Sequence, residues 1–562
     1  MSAASARRVE PRRPAEAART GLPRALVLEL AAPELTGLLR AGLGGLASAL
    51  RVLAIADDPR SAWPSPVALG DGTAIVEPRR ITLRFGPQGP TPLLEALFAR
   101  VFAISQEGVI APAGILEPTL PRDRGLRLAL HLGMKRTFLQ HGKSTTAAGA
   151  MKLLTFEVDG RSVRYPLLPC SAYAHQAGAS AVLKALARGT VELAGWAYPG
   201  AVQKHTGVAR TRCEYGPVEA ICALFALIGC ISLPTARGGA GVVVIPHPTD
   251  LVAFAVTRPR LGPASFAEAH VAGLGDAVLA VYLALRRDDV AAASGGVDGA
   301  EGVLLRALPW APQQRSRART LSMGAFGAPS LDTYELAART LPPSVRDARG
   351  EGDPEDGGDG SFVASSALRG FIADNLAEGR RWYAGFATAT TGGARPRFVH
   401  RYRERGNRGL GALYLEEKRG IIAMLDELGP AEHALVCSVH LALRQRFHRI
   451  AFDARASGAT PAHRFRSERE RWRIAFAGSR TAGQLRAALV DLWSRAGING
   501  VLRESWEHVI PLLQGDHWQL ARDLALVALV SYQRRISERG GDHGDHDDEP
   551  SSLDDRAGGA PR

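Results

Sequence analysis

Between Val218 and Leu233 the chain runs for sixteen residues with one charged side chain, Glu219. A segment of that kind has few places to go. About 14 of its residues suit a helix, short of the roughly 20 that span a bilayer. A helix that is apolar on every side belongs in the middle of a domain, with the rest of the chain packed around it. Gly238-Gly239 then marks a turn, and Val242-Val-Val-Ile245 reads as a β-branched strand. Pro246-His-Pro248 should end that strand, because proline has no N–H to give to a sheet interior. Upstream, Ala194–Tyr198 is a short apolar run, Pro199-Gly200 turns the chain, and Ala201–Arg210 is polar and basic.

A chain of 562 residues exceeds what one core holds, and two to four domains are expected. Lys and Arg outnumber Asp and Glu by 69 − 56 = 13, and the pI is near 9.9. That surplus points to a polyanionic partner, nucleic acid first. The competing explanation is an Arg-, Gly- and Ala-rich composition set by codon usage. The five cysteines (Cys170, Cys213, Cys222, Cys230, Cys437) are odd in number, lie mostly in apolar runs and form no CxxC pair. They imply neither a zinc site nor a disulfide framework, and they suit buried thiols in a reducing cytoplasm. No secretory signal and no membrane span is read, so the expected location is cytoplasmic.

The expected fold class is α+β: a large mixed α/β N-terminal domain followed by a C-terminal α-helical bundle. Residues 1–24 read as a disordered basic arm and 25–345 as the mixed domain. Residues 346–361, nearly all Gly, Asp, Glu and Pro from Asp347, form a flexible acidic linker and the main boundary. Residues 362–537 form the bundle, and 538–562 a disordered acidic tail. Between residues 363 and 539 there are 28 basic and 17 acidic residues, a net of +11, so most of the net charge belongs to the bundle.

Within the first domain, Ala25–Leu30 reads as a strand and Pro33 to about Leu53 as a helix with Leu35, Leu38, Leu39, Leu43 and Leu46 on one face. Gly42, Gly44 and Gly45 each weaken that helix by up to ~1 kcal/mol, which makes sense if another element approaches its backbone. Lys152–Val158 and Arg161–Tyr165 flank Asp159-Gly160, the strongest short-range hairpin signal. Phe266–Leu285 reads as a helix carrying His270, a satisfied histidine rather than a ligand. In the second domain, Ser366–Arg381, Leu413–Leu428, Pro430–Ile450, Glu468–Ala477, Thr481–Ala496, Gly500–Leu513 and Trp518–Arg534 read as helices on short loops, with Asp516 capping the last.

Several basic segments are candidate phosphate contacts, each weighed against a solvated loop. Lys135, Arg136, His141 and Lys143 lie where a helix delivers the chain to Gln140-His-Gly-Lys-Ser-Thr-Thr146. Lys204 and His205 lie in the run after Pro199-Gly200, and Arg315, Arg317 and Arg319 beside Trp310. Arg401 and Arg403 belong to the run Arg395–Arg408, where Phe398 and Tyr402 are available to stack on bases. Arg464, Arg466, Arg469 and Arg471 cluster at one helix start.

Gly142-Lys143-Ser144 falls short of a nucleotide loop, because position 137 is Thr rather than Gly and no strand leads in. There is no GxSxG and no HExxH. His543 and His546 among the acids of the tail fit a self-solvating segment better than a metal site. No cofactor and no metal is expected, and the residues favour binding over catalysis.

Three motifs then carry a resemblance. The run Trp196-Ala-Tyr-Pro-Gly-Ala-Val-Gln-Lys-His205, the apolar helix with Ile228-Gly-Cys230 and the strand ending Ile245-Pro246 resemble the large subunit of type I CRISPR effector complexes (Cascade), in the branch found in myxobacteria. Phe138-Leu-Gln-His-Gly-Lys143 matches the same family, although Ser144-Thr-Thr146 comes next where more basic residues are expected. Arg40–Leu46 resembles the family's first helix. The likeness spans the mixed domain and the bundle.

The resemblance implies a non-catalytic subunit at the foot of a guide-RNA complex. Such a subunit binds the guide RNA near its handle and recognises a short motif flanking the target in double-stranded DNA. It helps start strand separation, holds the displaced single strand on its helical domain and helps recruit a helicase–nuclease in trans. Its other partners are the backbone and handle-binding Cascade subunits, and no membrane is involved. Lys135, Arg136, His141, Lys143, Lys204 and His205 would then lie near the flanking motif or the handle, and Arg464, Arg466, Arg469 and Arg471 along the displaced strand. The alternatives are an enzyme acting on nucleotides or RNA through the His141–Thr146 loop, and a developmental or regulatory scaffold.

Overall fold

The computed structural model describes residues 23–60, 62–117, 123–140, 144–193, 214–236, 239–287, 296–307, 316–323, 328–347, 361–391, 417–458 and 460–533. By their contacts they fall into two compact units. One runs to Pro430 and takes in Gln519–Leu524; the other comprises Ala431–Trp518 and the residues from Ala525 onward.

The apolar run forms the helix at the heart of the first unit, α5 (Pro217–Gly229), buried from Ala220 to Gly229. Pro217 suits the first helical position because its missing N–H would be unpaired there anyway. The run's single charge, Glu219, turns back to accept the Gly216 N–H at 2.7 Å. At the far end Arg258, 2% exposed, donates from Nε to the Ile228 and Gly229 carbonyls (2.6 and 3.0 Å) and from Nη2 to Cys230 (2.6 Å). A cation on the last carbonyls of a helix satisfies orphan acceptors and complements the helix dipole.

Helix α1 (Gly37–Asp57) lies against α5. The glycines explain how. A Cβ on Gly42 would sit 1.9 Å from the Cys222 carbonyl oxygen, and one on Gly229 would sit 1.8 Å from that of Ala41. The two backbones touch, and only glycine permits it. The helix starts at Gly37 rather than near Pro33, because Thr36 is its N-cap and accepts the Leu39 N–H. By length and composition α1 could cross a bilayer, contrary to the sequence reading, but 83% of its most apolar window is buried within the fold. It is a core helix.

Two antiparallel sheets flank this pair. The first has the order β1-β4-β3-β2, from Ala25–Glu29, Arg80–Arg84, Gly72–Glu77 and Val67–Leu69. The second has the order β11-β12-β13-β14, from Ile231–Pro234, Gly241–Pro248, Val297–Ala307 and Ser316–Met323. The prolines do not stop β12 where the sequence suggests. It continues to Pro248, with a register shift between Pro246 and Pro248 against β13. Its pairing with β11 runs only from Gly241 to Val244, so beyond that residue β12 is paired on one side, where proline is tolerated. The expected hairpin is present as β6 (Lys152–Val158) and β7 (Arg161–Leu167), with Asp159 and Gly160 at φ 50° and 73°.

The helix expected at Phe266–Leu285 begins later, as α7 (Leu274–Arg287). Residues 266–273 form turns, held by backbone bonds from Ala236 N–H to Val271 O and from Val271 N–H to Pro234 O. Tertiary pairing outcompetes helix there, and His270 sits in a buried turn. The basic run at 313–319 likewise does not stay a loop: from Ser316 it is β14, with Arg317 opposite Arg306 and Arg319 opposite Leu304.

Most of the acidic stretch lies outside the described residues, but the chain on its far side packs with the first unit. β15 (Ser344–Asp347) pairs with β16 (Ser361–Ala364). Helix α9 (Ala367–Ala377) then places Arg369 against Asp276 of α7, Nε to Oδ1 at 2.7 Å, and against Tyr334 of α8 (Ala328–Thr340). Tyr334 donates to the same Asp276 oxygen at 2.8 Å, and all three side chains are buried. By contacts, therefore, the chain divides at Pro430 and not in the acidic stretch. The β15–β16 pairing and this buried ion pair join the two sides of the stretch.

Helices α11 (Pro430–Ala456), α12 (Ala462–Gly478), α13 (Ala482–Ala496) and α14 (Gly500–Leu512) build the second unit. Thr481 and Asn499 cap α13 and α14, accepting the Gln484 and Leu502 N–H groups. Glu468 of α12 is bracketed by Arg446 Nε (2.9 Å) and Trp472 Nε1 (3.1 Å). Asp516 does not cap the last helix, α15 (Trp518–Ser531): a 3₁₀ turn over Gly515–His517 leads in, and His517 holds the cap position without a side-chain bond.

Candidate nucleic-acid interface

The basic residues picked from the sequence fall into three groups. His141, Lys143, Lys204, His205, Arg315, Arg401 and Arg403 lie outside the described residues. Arg317 and Arg319 are placed by backbone alone, on β14. The other six can be weighed by geometry.

Lys135 and Arg136 close α3 (Arg124–Arg136), a helix capped by Asp123, which accepts the Leu126 N–H at 3.0 Å. They do different things. Arg136 turns inward and donates from Nη1 to the Thr235 carbonyl at 3.1 Å, just past β11. Burial lowers its pKa, and its Cβ lies against Gly241. It ties α3 to the β11–β12 turn, and that bond uses one of the guanidinium's five donors. Lys135 is half-buried, with Nζ 3.7 Å from Cys170 Sγ, a weak partner that leaves most of its donor capacity unspent. The chain then leaves α3 through Phe138 and Leu139, both buried, and reappears at Ser144 entering β5 (Thr145–Ala147), which pairs with β8 (Cys170–Tyr173). A helix leads in and a strand leads out. A phosphate-cradling nucleotide loop needs the reverse order, strand then helix, so this geometry lends the nucleotide reading no support.

On α12 the four arginines are all exposed, but they do not form one stripe. At ~100° per residue, Arg464 and Arg471 fall about 20° apart, while Arg466 and Arg469 lie on the other side of the buried line of Glu468, Trp472 and Phe476. The helix therefore shows two basic flanks. Arg471 is partly engaged: it pairs with Asp491 of α13 at 3.1 Å and lies 5.0 Å over the Trp472 ring. Arg473, on the flank of Arg466 and Arg469, is paired with Glu470, and that pairing holds the Glu470 carboxyl below its usual range.

The sequence reading ended α11 at Ile450, short of its end at Ala456, and assigned it no site. Its outward side carries Arg444, His448, Phe452 and Arg455, all exposed, opposite the buried line of Leu435, Val439, Leu443 and Phe447. The signal was available as an i, i+4, i+8, i+11 spacing, but scattered single arginines on a 27-residue helix give no local cluster. Among the described residues no group of three or more His, Cys, Asp or Glu is placed to hold a metal ion.

Comparison with known proteins identifies the class. A family model described as the DevT N-terminal domain matches residues 27–224, and one described as the DevT C-terminal domain matches residues 425–557. A CRISPR-associated protein, Cas8a1/Csx13 of Myxococcus xanthus (strain DK1622), is 48% identical over 541 residues, which cover 95% of this chain and 92% of that protein. The chain is thus a CRISPR-associated protein. Within that class it belongs to the Cas8a1/Csx13 family, the large subunits of type I effector complexes in their myxobacterial-type branch.

Proposed function

We propose that the chain serves a guide-RNA-directed antiviral surveillance complex as its non-catalytic large subunit, working in the cytoplasm. It binds the RNA handle and the target duplex, recognises the flanking motif, holds the displaced strand and helps recruit a helicase–nuclease. The observation that carries this reading is end-to-end likeness to a CRISPR-associated protein, 48% identical over 95% of the chain. The charge supports it: an excess of 28 basic over 17 acidic residues between 363 and 539 suits backbone contacts whose affinity falls steeply with salt. Base pairing by the guide would read the long sequence and the protein only a short flank, the division known for another RNA-guided system.

In this reading Lys135, Arg136, His141, Lys143, Lys204 and His205 contact phosphate near the handle or the flank. Arg317, Arg319, Arg401 and Arg403 add phosphate contacts, and Arg464, Arg466, Arg469 and Arg471 face the displaced strand. The acidic stretch 346–361 acts as a tether inside the first unit, and residues 538–562 as an acidic tail.

The test is a pull-down of the tagged protein from its native host, with the bound RNA sequenced and the bound proteins identified. Short RNAs sharing a repeat-derived handle, together with a multi-copy backbone subunit, are the expected result. Recovery of the protein without RNA and without such partners would sink the proposal.

A further inference from the structure

The outward ridge of α11 combines an exposed aromatic ring with basic side chains. Phe452 is 70% exposed, an unusual place for a large apolar ring. It stands in basic surroundings. Arg444, His448 and Phe452 are spaced at four-residue steps, ~6 Å apart along the helix, and Arg455 lies one turn beyond Phe452. Around the helix the four side chains span about 80° and share one face.

None of the three polar side chains is tied down: no side-chain hydrogen bond or ion pair joins Arg444, His448 or Arg455 to another described residue. The flank is basic as well, where Arg449 donates to the Arg495 carbonyl at 2.9 Å. The nearest acid on the helix, Asp453, falls about 100° from Phe452, off the ridge. Beside the ridge Gln445 donates to the Ile498 carbonyl at 2.7 Å, and the Ile498 side chain, 83% exposed, adds a second apolar surface.

We infer that this ridge is a binding track for single-stranded nucleic acid, with Phe452 stacking on a base and Arg444, His448 and Arg455 facing the phosphates beside it. The charge fixes the sign of the partner, and the exposed ring separates single strands from duplex. A base can stack on a protein ring only when its own stack is open, and an aromatic flanked by cations meets both halves of a nucleotide. A neutral or basic protein surface would offer no counter-charge to offset desolvating the two arginines. The inference rests on the nucleic-acid reading above and deepens it by naming where bases are held.

The test uses the full chain and fluorescence anisotropy with a labelled oligothymidine and an abasic strand of equal length. Phe452→Ala should weaken oligothymidine binding about 5- to 100-fold, leave abasic binding and the salt slope unchanged, and be rescued by Phe452→Trp, whose emission the oligonucleotide should quench. Arg444→Gln with Arg455→Gln should weaken both strands alike and flatten the salt slope. Wild-type binding that Phe452→Ala fully retains would overturn the ridge alone. Absence of binding by the wild-type chain would overturn the nucleic-acid reading beneath it.

Discussion

The Tyr165 hydroxyl donates to Nε2 of His270 at 3.0 Å, because the other ring nitrogen is already committed. His270 Nδ1 lies 2.8 Å from the Phe266 carbonyl, which can only accept, so the proton is on Nδ1 and Nε2 is left as the acceptor. The pair fastens β7 to the buried turn before α7, inside a cluster with Phe156 and Phe266. Only neutral imidazole can do this. Burial accordingly depresses His270 to about 4, and it depresses His131 to about 4 and His175 to about 3.

Acid should therefore loosen the first unit ahead of any carboxylate effect. The unfolded chain takes up its histidine protons near pH 6.5, and the folded chain only near pH 4 or below, so stability is complete above 6.5 and is lost as the pH falls toward 4. At pH 5 each of the three should cost about 2 kcal/mol. Urea unfolding followed between pH 7.5 and 5 checks this, and a flat profile would contradict it. Tyr165→Phe, which strands a buried acceptor, should cost about 1–3 kcal/mol at pH 7.5.

The contact of α1 with α5 allows no side chain at Gly42 or Gly229. Gly229→Ala should cost at least about 3 kcal/mol, beyond ordinary overpacking, because the new methyl meets the Ala41 backbone rather than a side chain that can turn away. Gly478→Ala, with nothing within 4 Å of the added Cβ, is the control and should move the melting temperature little. Comparable melting of the two variants would mean that the helices can part freely.

These glycines also show how far the sequence could be read. Three glycines inside a leucine-rich helix signal a close neighbour, and the apolar run signals a buried helix, yet nothing local says that each is the other's partner. The Asp159-Gly160 hairpin was legible because its turn chemistry is local. The late start of α7 and the pairing of residues 316–319 into β14 were not, since both depend on strands far away in the chain. Of the candidate site, residue type pointed to Arg136, but its commitment to the Thr235 carbonyl is a tertiary fact. The ridge on α11 was hidden for the opposite reason, its members being too far apart in sequence to look like a cluster.

Arg369 predicts what happens when the acidic stretch is cut. A protease recognition sequence placed between Gly350 and Gly360 should give two fragments that still co-elute, because β16 pairs with β15 and Arg369 is buried against Asp276 and Tyr334. Arg369→Ala strands the buried Asp276 carboxylate and should cost about 3–5 kcal/mol. The cleaved variant should separate on size exclusion where the cleaved parent does not. Separation of the cleaved parent would restore the acidic stretch as the true domain boundary.

The two basic flanks of α12 make the displaced-strand proposal divisible. A strand lying along one side of the helix meets Arg464 and Arg471 or meets Arg466 and Arg469, because the buried Glu468–Trp472–Phe476 line stands between them. Removing one arginine that neutralises a phosphate of a single strand should reduce the slope of log affinity against log salt by about 0.7. Arg464→Ala with Arg471→Ala, and separately Arg466→Ala with Arg469→Ala, should therefore divide into one pair that lowers the slope by up to about 1.4 and one that leaves it alone. The Arg471 pair also breaks its bridge to Asp491, an exposed interaction worth no more than about 1 kcal/mol, so a change in slope there reports binding rather than unfolding. If both pairs leave the slope intact while the wild-type chain binds single strands, the displaced strand does not run along α12.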